Sequence, residues 1–588
     1  MRTITAQCEG QDRRTAPGVI LSDLWIYIAI AICCLSAALF NPYFNTADTV
    51  SYFDISDAIR HHLWHSVVNA YFFPAYPALL LIGRAIFGFR MKYEFMAARM
   101  TDAIIQMFFI ASSVVLVNSV RAVMRSRGIK IEELIPTRTL CVWAAVFAYI
   151  VAAQDVSDIR PDALVSAFMI LTAASFLFAV AQNNLAAFAA AGLFGALGEW
   201  TKAIAFPFFV LCLLCVFLAN VRRVRVLKGL AMTLLVFAAV AGPWIGLISK
   251  AKGRLTFGDS GRLNAAWFID GADLLNPVAD PTIYHVHDAS AHFKHAGTLL
   301  SRDPVTFYFN DGIYGSLPQW YDGSYWSDGL VPRFVFRDTV AAIGRNLAVL
   351  YRIAVVHLQL PVLFAAPIVF GFALRRTSIA DPVLITMAIL ALTLVAMYVL
   401  VYLEGRYIVF SMVMFGALFA GCSVVAPEKR AYASPLHWTL MLITATILLG
   451  QLQADLINRR ELKQKNGVDP LTGIYDLSVQ SAGAALHLQF PEGSEVACMG
   501  SDACFGDPYW ARYAGIRITG IIDTSHSISE APVTAAEDCL ALEQHPNVLV
   551  VLRERNVRAI VTRFSHEQPC STNWKKLGGG GSFYYRTL

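Results

Sequence analysis

Asp48 lies in the run Asn41-Pro-Tyr-Phe-Asn-Thr-Ala-Asp48-Thr-Val-Ser-Tyr52, immediately outside the first hydrophobic span of the chain. A carboxylate held at the edge of the hydrocarbon gains little structurally, so it is a functional-site candidate. Beside Tyr52 and the aromatic run Tyr71-Phe-Phe-Pro-Ala-Tyr-Pro77, it could act as a general base on a hydroxyl. Asp54 and Asp57 follow at i+6 and i+9, where a solvated helix start accounts for both. A second turn reads Gln154-Asp155-Val-Ser-Asp158-Ile-Arg160-Pro161-Asp162. Three acids and an arginine in nine residues are dense for a structural turn, although Pro161 and Asp162 also suit a helix start.

Two further turns carry Glu199-Trp-Thr-Lys202 and Glu404-Gly-Arg406-Tyr407. Each reads either as interfacial anchoring, since Lys and Arg snorkel at helix ends, or as part of a site in which cations hold a phosphate and carboxylates take a proton or bind a metal. His61, His62 and His65, and then His285, His287, His292 and His295, have spacings compatible with metal ligation, but no thiolate or HExxH frame accompanies them. We assign no metal ligand. Solvated loop histidines are the default.

The elements that must position these groups are membrane helices. Hydrophobic residues make up 56% of the chain and charged residues only 15%, and the mean hydropathy is +0.53; this is the composition of an integral membrane protein. A net charge of +5 is too small to point to nucleic acid. Lys and Arg collect on the cytoplasmic side of membrane helices, and threading on that rule places Arg2, Arg13 and Arg14 inside. Arg121, Arg125, Arg127 and Lys130 then fall inside, as do Arg222, Arg223, Arg225 and Lys228, then Arg375 and Arg376, and finally Lys429 and Arg430.

Helices are expected near residues 21–40, 95–120, 138–153, 161–181, 185–199, 203–219, 227–248, 354–373, 382–402, 407–426 and 435–453. The first reads as an anchor with no cleavage site after it. Residues 75–89 read as a shallow interfacial helix. The layout is a cytoplasmic tail (1–20), a transmembrane domain (21–453) with outer loops 41–94 and 249–353, and an outer C-terminal domain (454–588). In that tail, strand character over 495–499, 516–523, 557–562 and 583–586, with the end of a helix near 547–556, predicts a small α/β domain.

Of the eleven cysteines, six fall in the spans as small apolar residues. Cys498, Cys504, Cys539 and Cys570 lie in the outer domain, where they are either disulfide-bonded or buried thiols, with Cys498 and Cys504 the most local pair. No dinucleotide fingerprint or P-loop is present, so neither a nucleotide nor an organic cofactor is expected; a divalent metal stays open.

The stretches Thr46-Ala-Asp48-Thr-Val-Ser-Tyr52, Phe73-Pro-Ala-Tyr76-Pro77, Arg160-Pro-Asp162-Ala-Leu, Leu197-Gly-Glu-Trp-Thr201-Lys202, Gly242-Pro-Trp244 and Glu404-Gly-Arg406-Tyr407 together resemble the bacterial polytopic GT-C glycosyltransferases. These include relatives of the protein O-mannosyltransferases, the lipid A aminoarabinose transferase and the rhizobial lipopolysaccharide core transferases. The resemblance runs from about residue 20 to 430, in the family's order. It implies a GT-C-like bundle of about eleven helices in the bacterial cytoplasmic membrane. It implies also transfer of one sugar, with inversion, from a polyprenyl-phosphate donor to a glycan, lipid or protein hydroxyl at the outer face.

Asp48 matches the family's catalytic acid in the first outer loop. It is followed by Thr49 rather than by the Glu of one subgroup, which leaves its partner to Asp158 or Asp155. Arg160, Lys202 and Arg406 would lie near the lipid phosphate, with Tyr52 and Tyr407 lining the site. An outer-face polymerase or ligase of whole glycans is the neighbouring alternative. A transporter fits less well, since its charges should lie in mid-span and its halves should repeat.

Overall fold

Long apolar runs ended by charged or turn-forming residues give this chain its helices, and a computed structural model describes residues 17–40, 47–89, 93–129, 136–152, 159–270, 298–302, 304–309, 322–326, 332, 335–357, 382–422, 433–466, 477–500, 503–504, 508–523, 535–564, 569–578 and 582–588. Helix α1 (Pro17–Phe40) leads to the shorter α2 (Ala47–Arg60), α3 (Trp64–Val67) and α4 (Ala75–Phe87). The bundle continues with α5 (Glu94–Ser126), α6 (Thr137–Ala152), α7 (Asp162–Gln182), α8 (Leu185–Glu199), α9 (Ala205–Asn220) and α10 (Val224–Lys252). After α11 (Ser260–Phe268) come strands β1 (Thr298–Arg302) and β2 (Val305–Tyr308), then α12 (Gly323–Trp326), α13 (Phe336–His357), α14 (Pro382–Val401), α15 (Gly405–Gly421) and α16 (Ala433–Asn466).

Ten of the eleven expected spans coincide with helices; most of the other, at 354–373, lies outside the described residues. Among the described helices, α5, α7, α10, α14 and the 441–461 stretch of α16 are long and apolar enough to cross a bilayer by themselves, while α6, α8, α9, most of α1 and the 405–418 stretch of α15 are apolar but shorter. The chain is thus a helical integral membrane protein. Tight turns keep neighbouring helices antiparallel: α7 stops at Asn183 in the left-handed region, and the Asn184 side chain caps α8 by accepting from the Ala187 N–H at 3.1 Å. Gly192 lets α8 close onto α10, because a Cβ there would lie 2.3 Å from the Thr233 carbonyl oxygen.

The 75–89 segment forms helix α4 over Ala75–Phe87, another of the shorter apolar helices. It buries Tyr76, Leu80 and Arg84 while Ile82, Ile86 and Phe87 stay exposed.

The C-terminal region adds α17 (Leu477–Gln489), β3 (Glu495–Met499), α18 (Tyr509–Ala514), β4 (Arg517–Asp523), α19 (Ala535–Gln544), α20 (Pro546–Glu554), β5 (Ala559–Arg563), β6 (Lys575–Lys576) and β7 (Phe583–Thr587). All four expected strands and the expected helix end are present. The sequence reading treats the long loop and the tail as separate, whereas they share one seven-stranded sheet of order β1-β2-β4-β3-β5-β7-β6. β3 runs parallel to β4 and β5, and β2, from the long loop, pairs antiparallel with β4 through Val305 opposite Asp523 to Tyr308 opposite Gly520. Disulfides join Cys498 to Cys504 and Cys539 to Cys570.

The sheet unit is keyed into the helices by charge. Arg512 is fully buried and binds Asp54 and Asp57 of α2, each at 2.5 Å, and Glu94 of α5 at 2.7 Å. Arg84 of α4 completes the set, 2.8 Å from Asp57 and 2.9 Å from Glu94, and the Tyr509 hydroxyl donates to Glu94 at 3.2 Å. Asp54 and Asp57 are therefore not a solvated helix start: their carboxylates face inward and hold a distant arginine. Burial alone would raise the Asp57 carboxyl, but the Arg512 and Arg84 guanidiniums outweigh it and hold it below the usual carboxylate range.

Candidate active site

The ends of several elements at one pole of the bundle open onto a single cavity of about 390 Å³. Asp48 lines it from the first turn of α2. Tyr52, one turn on along the same face, packs edge-on against Phe72 and Tyr76 with ring centroids 5.1 and 5.0 Å away. Burial, with the negative charge of Asp48 behind it, pushes the Tyr52 and Tyr71 phenols well above their ordinary range. Both remain protonated at neutral pH, so these two phenols share the cavity with Asp48 as neutral groups.

Another part of the wall is cationic. Lys202, in the turn between α8 and α9, donates to Asp162 Oδ1 at 2.7 Å and lies 4.9 Å from the centre of the Tyr407 ring. Arg406, at the start of α15, pairs through Nε with Glu404 Oε2 at 2.6 Å and approaches Asp162 at 4.0 Å. Its Nη2 donates to the Tyr407 hydroxyl at 3.0 Å. Arg160 Nη1 is 3.9 Å from Glu404 Oε2, and the Tyr402 hydroxyl donates to Glu404 Oε1 at 2.6 Å. Tyr398 stacks on Tyr407 at 4.5 Å. The three cations outnumber the two carboxylates that hold them, so this wall offers net positive charge fixed in place before anything binds.

The long loop closes the rim. Phe257 and Gly258 line the cavity beside Lys202, and Gly258 is required there: its φ is +150°, and a Cβ would lie 2.6 Å from that of Ala203. Asp259, almost fully buried, pairs with Arg254 and with Arg262 at 3.8 Å, while its N–H donates to the Ala70 carbonyl at 2.7 Å. Lys252 Nζ donates to the Ser324 carbonyl at 2.6 Å, and Ser324 Oγ accepts from the Ala70 N–H at 3.1 Å. The rim is thus tied to the aromatic turn after α3.

Six residues singled out from sequence, Asp48, Tyr52, Arg160, Lys202, Arg406 and Tyr407, line this one cavity. Asp155 and Asp158 lie outside the described residues, as do His285, His287, His292 and His295. His61, His62 and His65 are exposed, and among the described residues no three His, Cys, Asp or Glu side chains converge as metal ligands. Sequence reasoning counted Asp162 in the acid-dense turn, with a helix start as the other reading, but missed its pairing with Lys202, and it missed Glu404 as the carboxylate that aligns Arg406. For Glu404 the available signal was its place two residues before Arg406.

No protein-family model and no curated protein sequence matches the chain. It is similar to solved structures of ArnT from Cupriavidus metallidurans. With undecaprenyl phosphate bound, the identity is 12%, the match covers 97% of this chain and 98% of that one, and the TM-score is 0.48. In the apo state the identity is 12%, the coverage 96% and 97%, and the TM-score 0.47. The oligosaccharyltransferase from Archaeoglobus fulgidus, tethered to an acceptor peptide with the NVT sequon, is 13% identical over 92% of this chain and 69% of its own, with a TM-score of 0.42. At these values the chemistry follows only from this chain's own residues.

Proposed function

We propose that the chain is a membrane glycosyltransferase that moves a single sugar from a polyprenyl-phosphate donor to an acceptor hydroxyl at the outer face of the bacterial cytoplasmic membrane, with inversion. The observation that carries this reading is the pairing, in one cavity at one pole of an apolar bundle, of the acid Asp48 with the cations Arg160, Lys202 and Arg406. A hydroxyl is a poor nucleophile and a phosphate leaving group develops charge; the two walls answer those two needs. The family resemblance of the motifs points the same way.

In the reaction, the acceptor oxygen forms a bond to the anomeric carbon as the bond from that carbon to the phosphate oxygen breaks. Asp48 takes the acceptor proton, and the bonding electrons leave on the polyprenyl phosphate, held by Lys202 and Arg406 with Arg160 behind them. Attack opposite the leaving group inverts the anomeric centre. Asp162 and Glu404 act as positioning residues, fixing Lys202 and Arg406 before the donor arrives. Tyr71, Phe72 and Phe257 give the sugar apolar and aromatic surface. The sheet unit and its disulfides belong outside, where cystines persist, and the N-terminus belongs inside.

Sugar transfer from radiolabelled polyprenyl-phosphate sugars by the purified protein tests the reading. Turnover of one donor with loss of activity in R406A supports it, and no transfer from any such donor removes it. A whole-glycan ligase is separated by the lipid-linked species that accumulates on deletion: a monosaccharide for single-sugar transfer, an oligosaccharide for a ligase.

A further inference from the structure

A second cavity, of about 480 Å³, opens at the other pole of the bundle between the ends of α5, α7, α10 and α14. Four helices place it: α5 and α7 end there at Arg127 and Asn183, while α10 and α14 begin there at Val224 and Pro382. Helix α7, which starts at Asp162 in the site described above, has 21 residues and so spans about 31 Å, the thickness of a bilayer's hydrocarbon. The two cavities therefore face opposite membrane surfaces.

Arg127, Arg223 and Arg225 line this cavity with Ser126 and Asn183, and none of its described lining residues is acidic. The basic-end rule explains why arginines sit near this surface, but not why three of them from two separate helix ends border one concavity. The first-turn N–H groups of α10 open beside them with no side-chain cap. Leu218, Val221 and Val224, at the adjoining turn, are exposed apolar surface. Cationic donors in a recess, with apolar side chains alongside, match a phosphate headgroup and its acyl chains.

We propose that this cavity is a binding site for the phosphate headgroup of an anionic phospholipid of the surrounding bilayer, on the face opposite the catalytic pole. The site needs no turnover, so it stands or falls separately from the proposed activity.

The test measures retention of spin-labelled phosphatidylglycerol and phosphatidylcholine by the full chain in mixed micelles. Wild type should show saturable binding selective for phosphatidylglycerol. The triple variant R127Q/R223Q/R225Q should weaken it by at least about tenfold, as expected for loss of several surface cations, and R127K/R223K/R225K should keep most of it. The single variants R223Q and R225Q, at exposed positions, should each show part of the loss and decide the matter if the triple variant misfolds. Equal selectivity in wild type and the Gln variants overturns the proposal. Displacement of the lipid by millimolar inorganic phosphate assigns the cavity to a soluble anion and overturns the lipid source.

Discussion

Lys202 and Arg406 are each anchored by a carboxylate before any phosphate is present, and this settles how their substitution should behave. R406A removes the fixed donors at the leaving group and should lower kcat by about two to three orders of magnitude, measured as single-turnover transfer with the fold checked by size exclusion. D162N leaves every cation in place but replaces the charged partner of Lys202 at 2.7 Å by a neutral, weaker acceptor. It should cost about ten- to a hundredfold through misplacement, and a loss confined to kcat, with donor binding unchanged, would separate positioning from binding. Wild-type rates in D162N would remove the positioning role. The site's charged ends were legible in the sequence because each stands beside a long apolar run, where a charge needs a reason. The Asp162–Lys202 pair was not, since its partners are 40 residues apart and either acid or base alone is explained by a helix end.

At the element scale, the Arg512 cluster shows what local reading cannot supply. Asp54 and Asp57 look like favourable dipole partners of α2, yet their arginine lies 458 and 455 residues further along. Removing one member of such a buried set leaves charges stranded: R512A should destabilise the protein by about 3–5 kcal/mol, read as a lowered thermal midpoint in detergent. An unchanged midpoint would mean that the sheet unit does not depend on this contact. The acid dependence follows from Asp57. Its carboxyl is held below the ordinary value in the folded state, so its contribution is complete above the ordinary carboxylate pKa of about 4. It is lost as pH falls through the lower folded value. Docking should therefore persist at pH 5 and weaken only in stronger acid, as seen by limited proteolysis at the α16–sheet connection; loosening already between pH 7 and 5 would contradict this.

The whole molecule puts a cation-and-acid cavity at one pole of an apolar bundle and roofs that pole with a sheet to which the long loop contributes β1 and β2. The helices were legible because length and hydropathy report membrane crossing directly, and the tail strands because their alternation is local. The shared sheet was not, because β2 pairs with β4 across more than two hundred residues and nothing in either segment names its partner. It follows that deleting residues 460–588 does more than trim an appendage: it uncovers the buried Asp54 and Glu94 and leaves β2 paired with β1 alone, so the truncated chain should lose activity and stability together. A truncation with full turnover would show that the sheet is dispensable. The most direct measurement of the central claim compares wild type with D48N in transfer from radiolabelled polyprenyl-phosphate sugars, in detergent. A base role predicts a loss of at least about a hundredfold with the donor still bound, whereas equal rates in the two proteins would contradict the assignment of Asp48 as the base.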